Sequence, residues 1–129
     1  MSNLEKYLGK IVKVVVDRPL GSCHPKYGFV YMLNYGYIPD TLEEDSEEID
    51  AYIINVSEPI TECVGKVIAV INRKNDIEDK LVVLKLPSKR YNKEAIRRLT
   101  YFQERYFDIE IIEVKKKCNL KGVKDESFY

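Results

Sequence analysis

Two acidic groups carry most of the chemistry that this sequence can offer. The first is the run Glu43-Glu44-Asp45-Ser46-Glu47-Glu48-Ile49-Asp50, which leads directly into an apolar segment. In an extended chain Asp45 and Glu47 project to one side, and Asp50, beyond a bend at Ser46 to Glu48, can turn back toward them. Like charges held together cost free energy unless a cation neutralises them, and clustered hard oxygens suit Mg²⁺ or Mn²⁺ rather than a soft metal. The competing reading is a solvated acidic turn, because charge runs are commonly surface. An EF-hand loop is excluded, since the glycine its sixth position needs is absent. The second group, Asp76, Glu78 and Asp79, stands before Lys80 at the entrance to another apolar stretch. If the fold brings both turns to the mouth of one barrel, their carboxylates can hold metals with a water between them, a site for metal-assisted hydrolysis. Alone, the second group also reads as a polar hairpin turn.

Arg18, Lys26 and Lys80, with the hydroxyls of Tyr31, Tyr35 and Tyr106, are the candidate anion-binding groups. Tyr31 and Tyr35 are an even number of residues apart on one extended segment, so both can donate in the same direction. They also fit a core-aromatic role with wet tips. Lys26 and Lys80 are expected at the barrel mouth with their charges in solvent or on ligand. His24 is the only histidine, so no imidazole metal cluster exists, and a loop histidine without special role is expected. Triad, P-loop and dinucleotide motifs are absent.

The elements that must position these residues are short strands. Ile11 to Val16 is β-branched and nearly continuous, as in a strand buried on both faces or in a small barrel. Pro19, Gly21 and Pro25 then enforce a loop, and a tyrosine-rich extended stretch runs from Phe29 to Ile38 before Pro39-Asp40 turns the chain. Further strand signals lie at Ile49 to Val56, Lys66 to Asn72, Lys80 to Leu86 and Ile109 to Val114. Only one segment has a helical period: Ile96, Leu99, Phe102 or Gln103 and Tyr106, with Asn92 as N-cap. These signals predict a mainly β, α+β fold: an OB-like barrel of five to six strands with one principal helix.

The 129 residues suit a single domain spanning 1–129, with a basic and then mixed tail, 115–129, expected to fray. Lys plus Arg and Asp plus Glu balance at 21 each, so no overall field attracts a nucleic acid or an anionic membrane. Cys23, Cys63 and Cys118 are odd in number and widely spaced, which fits reduced thiols in a cytoplasmic protein. Residues 1–10 contain no apolar stretch of signal-peptide or membrane-spanning length. A homo-oligomer is compatible with this reading.

Taken in order, Asp17, Pro19, Lys26, Tyr31, Asn34-Tyr35-Gly36-Tyr37-Ile38, Asp45-Ser46-Glu47-Glu48-Ile49-Asp50 and Asp79-Lys80-Leu81-Val82 resemble the active-site order of the soluble inorganic pyrophosphatases. The resemblance spans roughly Ile11 to Phe107. The conjunction of an Asn-Tyr-Gly-Tyr segment with three acids in an x-small-x-two-x spacing is more specific than either part. It implies Mg²⁺, with Mn²⁺ as the other candidate, at Asp45, Glu47 and Asp50, and Glu47 as general base beside the nucleophilic water. It places Asp76 and Asp79 in a second metal group, with Glu78 competing for Asp79's position. It gives phosphate contacts to Lys26, Tyr31, Lys80 and Tyr106, and lets Tyr35 tune the metal-bound water. The implied reaction is hydrolysis of pyrophosphate, or a related phosphoester, to two phosphates without a covalent intermediate.

Four positions depart from the pattern. Glu47 stands where the signature has aspartate, Gly28 replaces an acid, and Phe107 follows Tyr106 where the family places lysine. The segment between Lys26 and Tyr31 is too short for the hairpin that carries a phosphate-binding arginine, and Arg18 is the nearest guanidinium to take its place. These losses keep a second reading open: a metal- or phosphoester-binding module with this fold and little or no turnover. A third, an OB-type single-strand binder using the tyrosines, is opposed by the zero net charge and the acidic mouth.

Overall fold

The computed structural model describes residues 4–39, 48–76, 78–86 and 91–113. A 3₁₀ turn, Leu4–Tyr7, precedes strands β1 (Ile11–Arg18), β2 (Asn34–Ile38), β3 (Ile49–Ile53), β4 (Glu62–Arg73) and β5 (Lys80–Leu84). Helix α1 (Lys93–Glu104) and strand β6 (Ile109–Glu113) follow. The sheet order is β1-β2-β3-β5-β4-β6, and β1 also pairs with β4. That extra pairing closes five strands into a barrel, with β6 attached outside it along β4. Closure depends on β1 serving two neighbours. Ile11 to Val15 pair with Lys66 to Glu62 of β4, and Val15 to Arg18 pair with Tyr37 to Tyr35 of β2, the register shifting between Val16 and Arg18. Such irregularities bend a strand and sharpen its twist, as a closing barrel requires.

Period-two alternation sorts the side chains onto two faces. Val14, Ile49, Ala51, Ile53, Val67, Leu81 and Val83 form one cluster, to which Val12 and Val16 add. β1 leaves Ile11 on its other face, 59% exposed, so this cluster is the barrel interior. The intervening residues, Tyr35, Tyr52, Ile68, Val82 and Leu84, pack outside the barrel against Ile96 of α1. β3 and β5 are therefore buried on both faces, which is why they read as continuous apolar runs. Gly36 of β2 is required by closeness: a Cβ there would collide with the backbone of Val15 and Val16.

The helix begins where its cap signal lies. Asn92 Oδ1 accepts the Ala95 N–H at 2.9 Å, satisfying one of the first-turn donors. The tyrosine-rich segment is strand only from Asn34 onward. Before it, residues 21–31 fold back on themselves: Tyr31 N–H donates to Ser22 O, His24 N–H to Phe29 O, and Cys23 bridges to Val30. Gly28, with φ +78°, closes this small hairpin in a conformation that side chains rarely adopt. The turn geometry explains the glycine where the family pattern has an acid.

Candidate active site

The barrel puts Asp50 of β3 beside Lys80 of β5, their Cα atoms paired in a parallel register. Both alternate with interior residues, so their side chains leave the barrel wall outward. The sequence predicts Lys80 at the barrel mouth, and Asp50 there only if the fold brings both acidic turns to it. They stand instead on the outer wall, because the interior is filled by the apolar residues between them. Tyr35, on the neighbouring strand, points the same way. Its hydroxyl donates to Asp50 Oδ2 at 2.7 Å, and Lys80 Nζ donates to the same oxygen at 2.8 Å. Lys80 Nζ also reaches Glu78 Oε1 at 3.0 Å.

These groups line a cleft of about 820 Å³ between the barrel wall, the 24–31 hairpin and the end of α1. Asp17, Arg18, Tyr31, Asp76 and Tyr106 also face it. Asp17 feels burial first, and then the nearby Asp50, and its carboxyl is raised above the usual range against the pull of Arg18. Burial and the Asp50 charge push the Tyr35 phenol well up, so it stays protonated and acts as a donor. Tyr31 is likewise raised by burial. Its hydroxyl donates to Gln103 Oε1 at 2.9 Å, and Arg18 lies over its ring, 6.0 Å from the centroid. Asn34, the first residue of the Asn-Tyr-Gly-Tyr segment, is fully buried away from the cleft. Its Oδ1 accepts from Leu20 and Ile60 N–H and its Nδ2 donates to Glu58 O, so it clamps two loops behind the strand.

Not every expected residue converges. Lys80 is 2% exposed and held in two ion pairs, so its charge is not in solvent. Lys26 is exposed on the hairpin, with Nζ 5.3 Å above the Tyr27 ring; Tyr27 lines the cleft and Lys26 does not. Asp79 turns back to accept the Arg73 N–H at 3.0 Å, and Glu78 faces the cleft in its stead. Tyr106 is 55% exposed on the rim and accepts from Arg105. Asp45 and Glu47 lie outside the described residues. Among the described residues no three potential ligands converge as a metal cradle. Asp50, partly exposed toward the cleft, has the hard oxygens that a divalent cation needs.

Six residues outside the expected set also shape the site: His24, Tyr52, Arg73, Gln103, Glu104 and Phe107. His24, expected to have no role, shapes the hairpin: its Nδ1 accepts the N–H groups of Lys26 (3.0 Å) and Tyr27 (3.1 Å), and its ring lies among Tyr27, Phe29 and Tyr31. Burial, with Arg18 and Lys26 nearby, lowers its pKa, so the neutral ring that can accept these bonds is favoured. Arg73, at the end of β4, is 5% exposed and forks onto Glu104: Nε to Oε1 at 3.0 Å and Nη2 to Oε2 at 2.8 Å. Burial alone would lower its pKa, but the Glu104 fork outweighs that and raises it. Glu104 also accepts the Tyr52 hydroxyl at 2.7 Å, and Tyr52 in turn accepts from Gln103 Nε2. Phe107 stacks on the guanidinium, 3.6 Å from its ring centroid. A signal was present in Glu104, since an acid in the last turn of a helix opposes the macrodipole unless a cation answers it.

With the fold and cleft defined, comparison with known proteins decides the lineage. The family described as inorganic pyrophosphatase matches residues 8–128. The chain belongs to the inorganic pyrophosphatase family. Inorganic pyrophosphatases of Brucella melitensis and Brucella suis are each 25% identical over 131 residues, covering 77% of this chain and 74% of theirs. Among solved structures, the inorganic pyrophosphatase of Ehrlichia chaffeensis superposes with a TM-score of 0.66 at 15% identity, covering 83% of this chain and 88% of that one. The inorganic pyrophosphatase of Neisseria gonorrhoeae gives 0.59 at 20% identity, covering 81% of both. These likenesses carry the OB-like barrel fold. No helix among the described residues is long and apolar enough to cross a membrane.

Proposed function

We propose that this pyrophosphatase-family chain hydrolyses inorganic pyrophosphate to two phosphates in the cleft, with Mg²⁺ or Mn²⁺ held by Asp50 together with Asp45 and Glu47. The observation that carries the reading is the convergence of Tyr35, Asp50 and Lys80 on one carboxylate oxygen at the floor of the cleft, in a chain of this family. The donor chemistry of Asp50 fits a hard divalent cation. Asp76 and Glu78 do not fit one as they stand, because both face the fixed Arg73 guanidinium and Glu78 also holds Lys80, whereas Asp50 meets Lys80 and Tyr35 on Oδ2 alone. A cation at the first group would supply a bound water acidified toward neutrality.

The chain's own residues would do the rest. Tyr35, kept protonated, orients Asp50 by donating to Oδ2, and Lys80 holds the same oxygen from the other side. Glu47 takes the general-base role. Arg18, with no ion pair among the described residues, is the guanidinium open to a phosphate, and Tyr31, Tyr106 and Lys26 line or flank its approach. The remaining second-group residues, Asp76 and Asp79, act by placing charge and backbone rather than by gripping substrate.

Phosphate release from pyrophosphate with and without Mg²⁺, for wild type and Asp50→Asn, tests this. Metal-dependent release in wild type and a loss of 10²-fold or more in Asp50→Asn is expected, about the size of one preorganised electrostatic contact. No metal-dependent release by wild type at any pH from mildly acidic to alkaline would reject hydrolysis and leave the binding-module reading, which the ion-paired state of Lys80 and Arg73 favours.

A further inference from the structure

The second carboxylate group is already occupied by a charge of the protein's own. Three contacts immobilise the Arg73 guanidinium: the two bonds of the Glu104 fork and the Phe107 ring at 3.6 Å. With Nε and Nη2 committed, Nη1 projects toward the cleft, where it lies 3.3 Å from Asp76 Oδ2 and 3.8 Å from Glu78 Oε1. Glu78 Oε1 receives Lys80 Nζ as well. A Mg²⁺ shared by Asp76 Oδ2 and Glu78 Oε1, the two oxygens that Nη1 faces, would sit about 2.1 Å from each, closer to them than the nitrogen that already answers their charge. It would also have to approach a guanidinium that does not deprotonate and, at 5% exposure, has little water to screen it. The two cations exclude each other.

We propose that Arg73 is a resident cation that replaces a divalent ion at the second carboxylate group, so that Asp76 and Glu78 take no metal of their own. A tethered guanidinium neutralises these acids at any metal concentration, whereas an ion does so only above its dissociation constant. The departure of Phe107 from the family pattern then has a physical role. A lysine there would set a second positive charge against Arg73, while an aromatic face attracts it. The inference rests on reading the cleft as a pyrophosphatase site, and it concerns how many ions that site holds rather than whether it turns over.

Counting bound Mn²⁺ per chain by electron paramagnetic resonance, without substrate, tests it apart from activity. The variant Arg73→Met/Glu104→Gln removes both members of the buried pair, so no lone charge is left, and glutamine still accepts from Tyr52. It is expected to bind one Mn²⁺ more than wild type, and adding Asp76→Asn is expected to abolish that gain. In the wild-type background Asp76→Asn is expected to leave the count unchanged, and this arm decides alone if the double variant is unfolded by circular dichroism. An equal count in wild type and the folded double variant, or a loss of one ion in Asp76→Asn, overturns the proposal. Wild-type phosphate release, measured separately, shows whether the underlying reading has failed instead.

Discussion

Replacing Lys80 by methionine keeps most of its buried stem and removes the ammonium that bridges Asp50 and Glu78. The gross attraction at stake is large: at 2.8 and 3.0 Å, each pair amounts to about 6 kcal/mol at an effective dielectric near 20. Most of that is offset by the desolvation of an ammonium only 2% exposed. Breaking a wholly buried pair costs about 3–5 kcal/mol, and an exposed one about 0.2–1 kcal/mol. Here the cation is buried, but its partners are 31% and 41% exposed, so water screens the charges left behind. Lys80→Met should therefore destabilise the chain by about 2 kcal/mol in EDTA, between those limits. With an unfolding entropy of about 2.1 cal/mol/K per residue, that lowers Tm by about 7 °C. Millimolar Mg²⁺ should recover at least half of the loss, because a metal at Asp50 supplies the missing positive charge. Urea titrations of both proteins with EDTA or Mg²⁺ read the effect directly. A variant within about 0.5 kcal/mol of wild type in EDTA, the usual range for surface changes, would show that these pairs are screened and that Lys80 is a ligand-facing lysine after all.

Mg²⁺ or Mn²⁺ at one hundred times its dissociation constant should stabilise the wild type by about 2.7 kcal/mol. Asp50→Asn should abolish that response, and a thermal shift that persists in the variant refutes Asp50 as a ligand. His24 has a folded-state pKa below its unfolded value, so the unfolded chain takes up the proton first. Its contribution is present above the ordinary histidine pKa of about 6.5 and declines as pH falls below it toward the lowered folded-state value. Stability measured between pH 8 and 5 should lose this component in His24→Asn, whose side-chain oxygen can still accept the two N–H bonds; an unchanged pH slope counts against it. Arg18→Ala should slow phosphate release by about 10²- to 10³-fold, the typical cost of one preorganised contact to developing charge. Equal rates would mean that another cation meets the phosphate.

The legible parts of this chain are those set by neighbours in sequence. Asn92 is followed by its helix, Gly36 sits where two strands touch, and each apolar run from Ile11, Ile49, Lys66, Lys80 and Ile109 contains a strand. β4 extends earlier than its apolar run because Glu62 to Gly65 pair only with β1, and residues on an edge of that kind tolerate charge and exposure. Phe29 to Leu33 failed as strand because Ser22 and His24, rather than a neighbouring barrel strand, take their hydrogen bonds. What periodicity could not supply is the face of the barrel that the acids occupy. That depends on β3 pairing in parallel with β5 across the sequence of β4, which places Asp50 against Lys80 from 30 residues away.

The same limit explains Arg73. Read in sequence, it is a basic residue closing an apolar strand beside an acidic turn, and nothing local distinguishes it from a solvated lysine. Its partner Glu104 is 31 residues away and comes within reach only when α1 packs on the outer wall. Once there, the pairing is reciprocal. A carboxylate 1% exposed at the end of a helix is untenable without a cation, and a guanidinium 5% exposed is untenable without an anion. Planar fork geometry satisfies both, as a lysine could not. The fork also fixes which way the third nitrogen points, and it points at Asp76 and Glu78. Two cations of this cleft, Arg73 and Lys80, are thus consumed in holding carboxylates of the chain itself. Among the described cleft-lining residues, Arg18 is left as the basic side chain outside an ion pair, which is why the proposed reading gives the anionic substrate to it, to the protonated tyrosines and to a metal at Asp50.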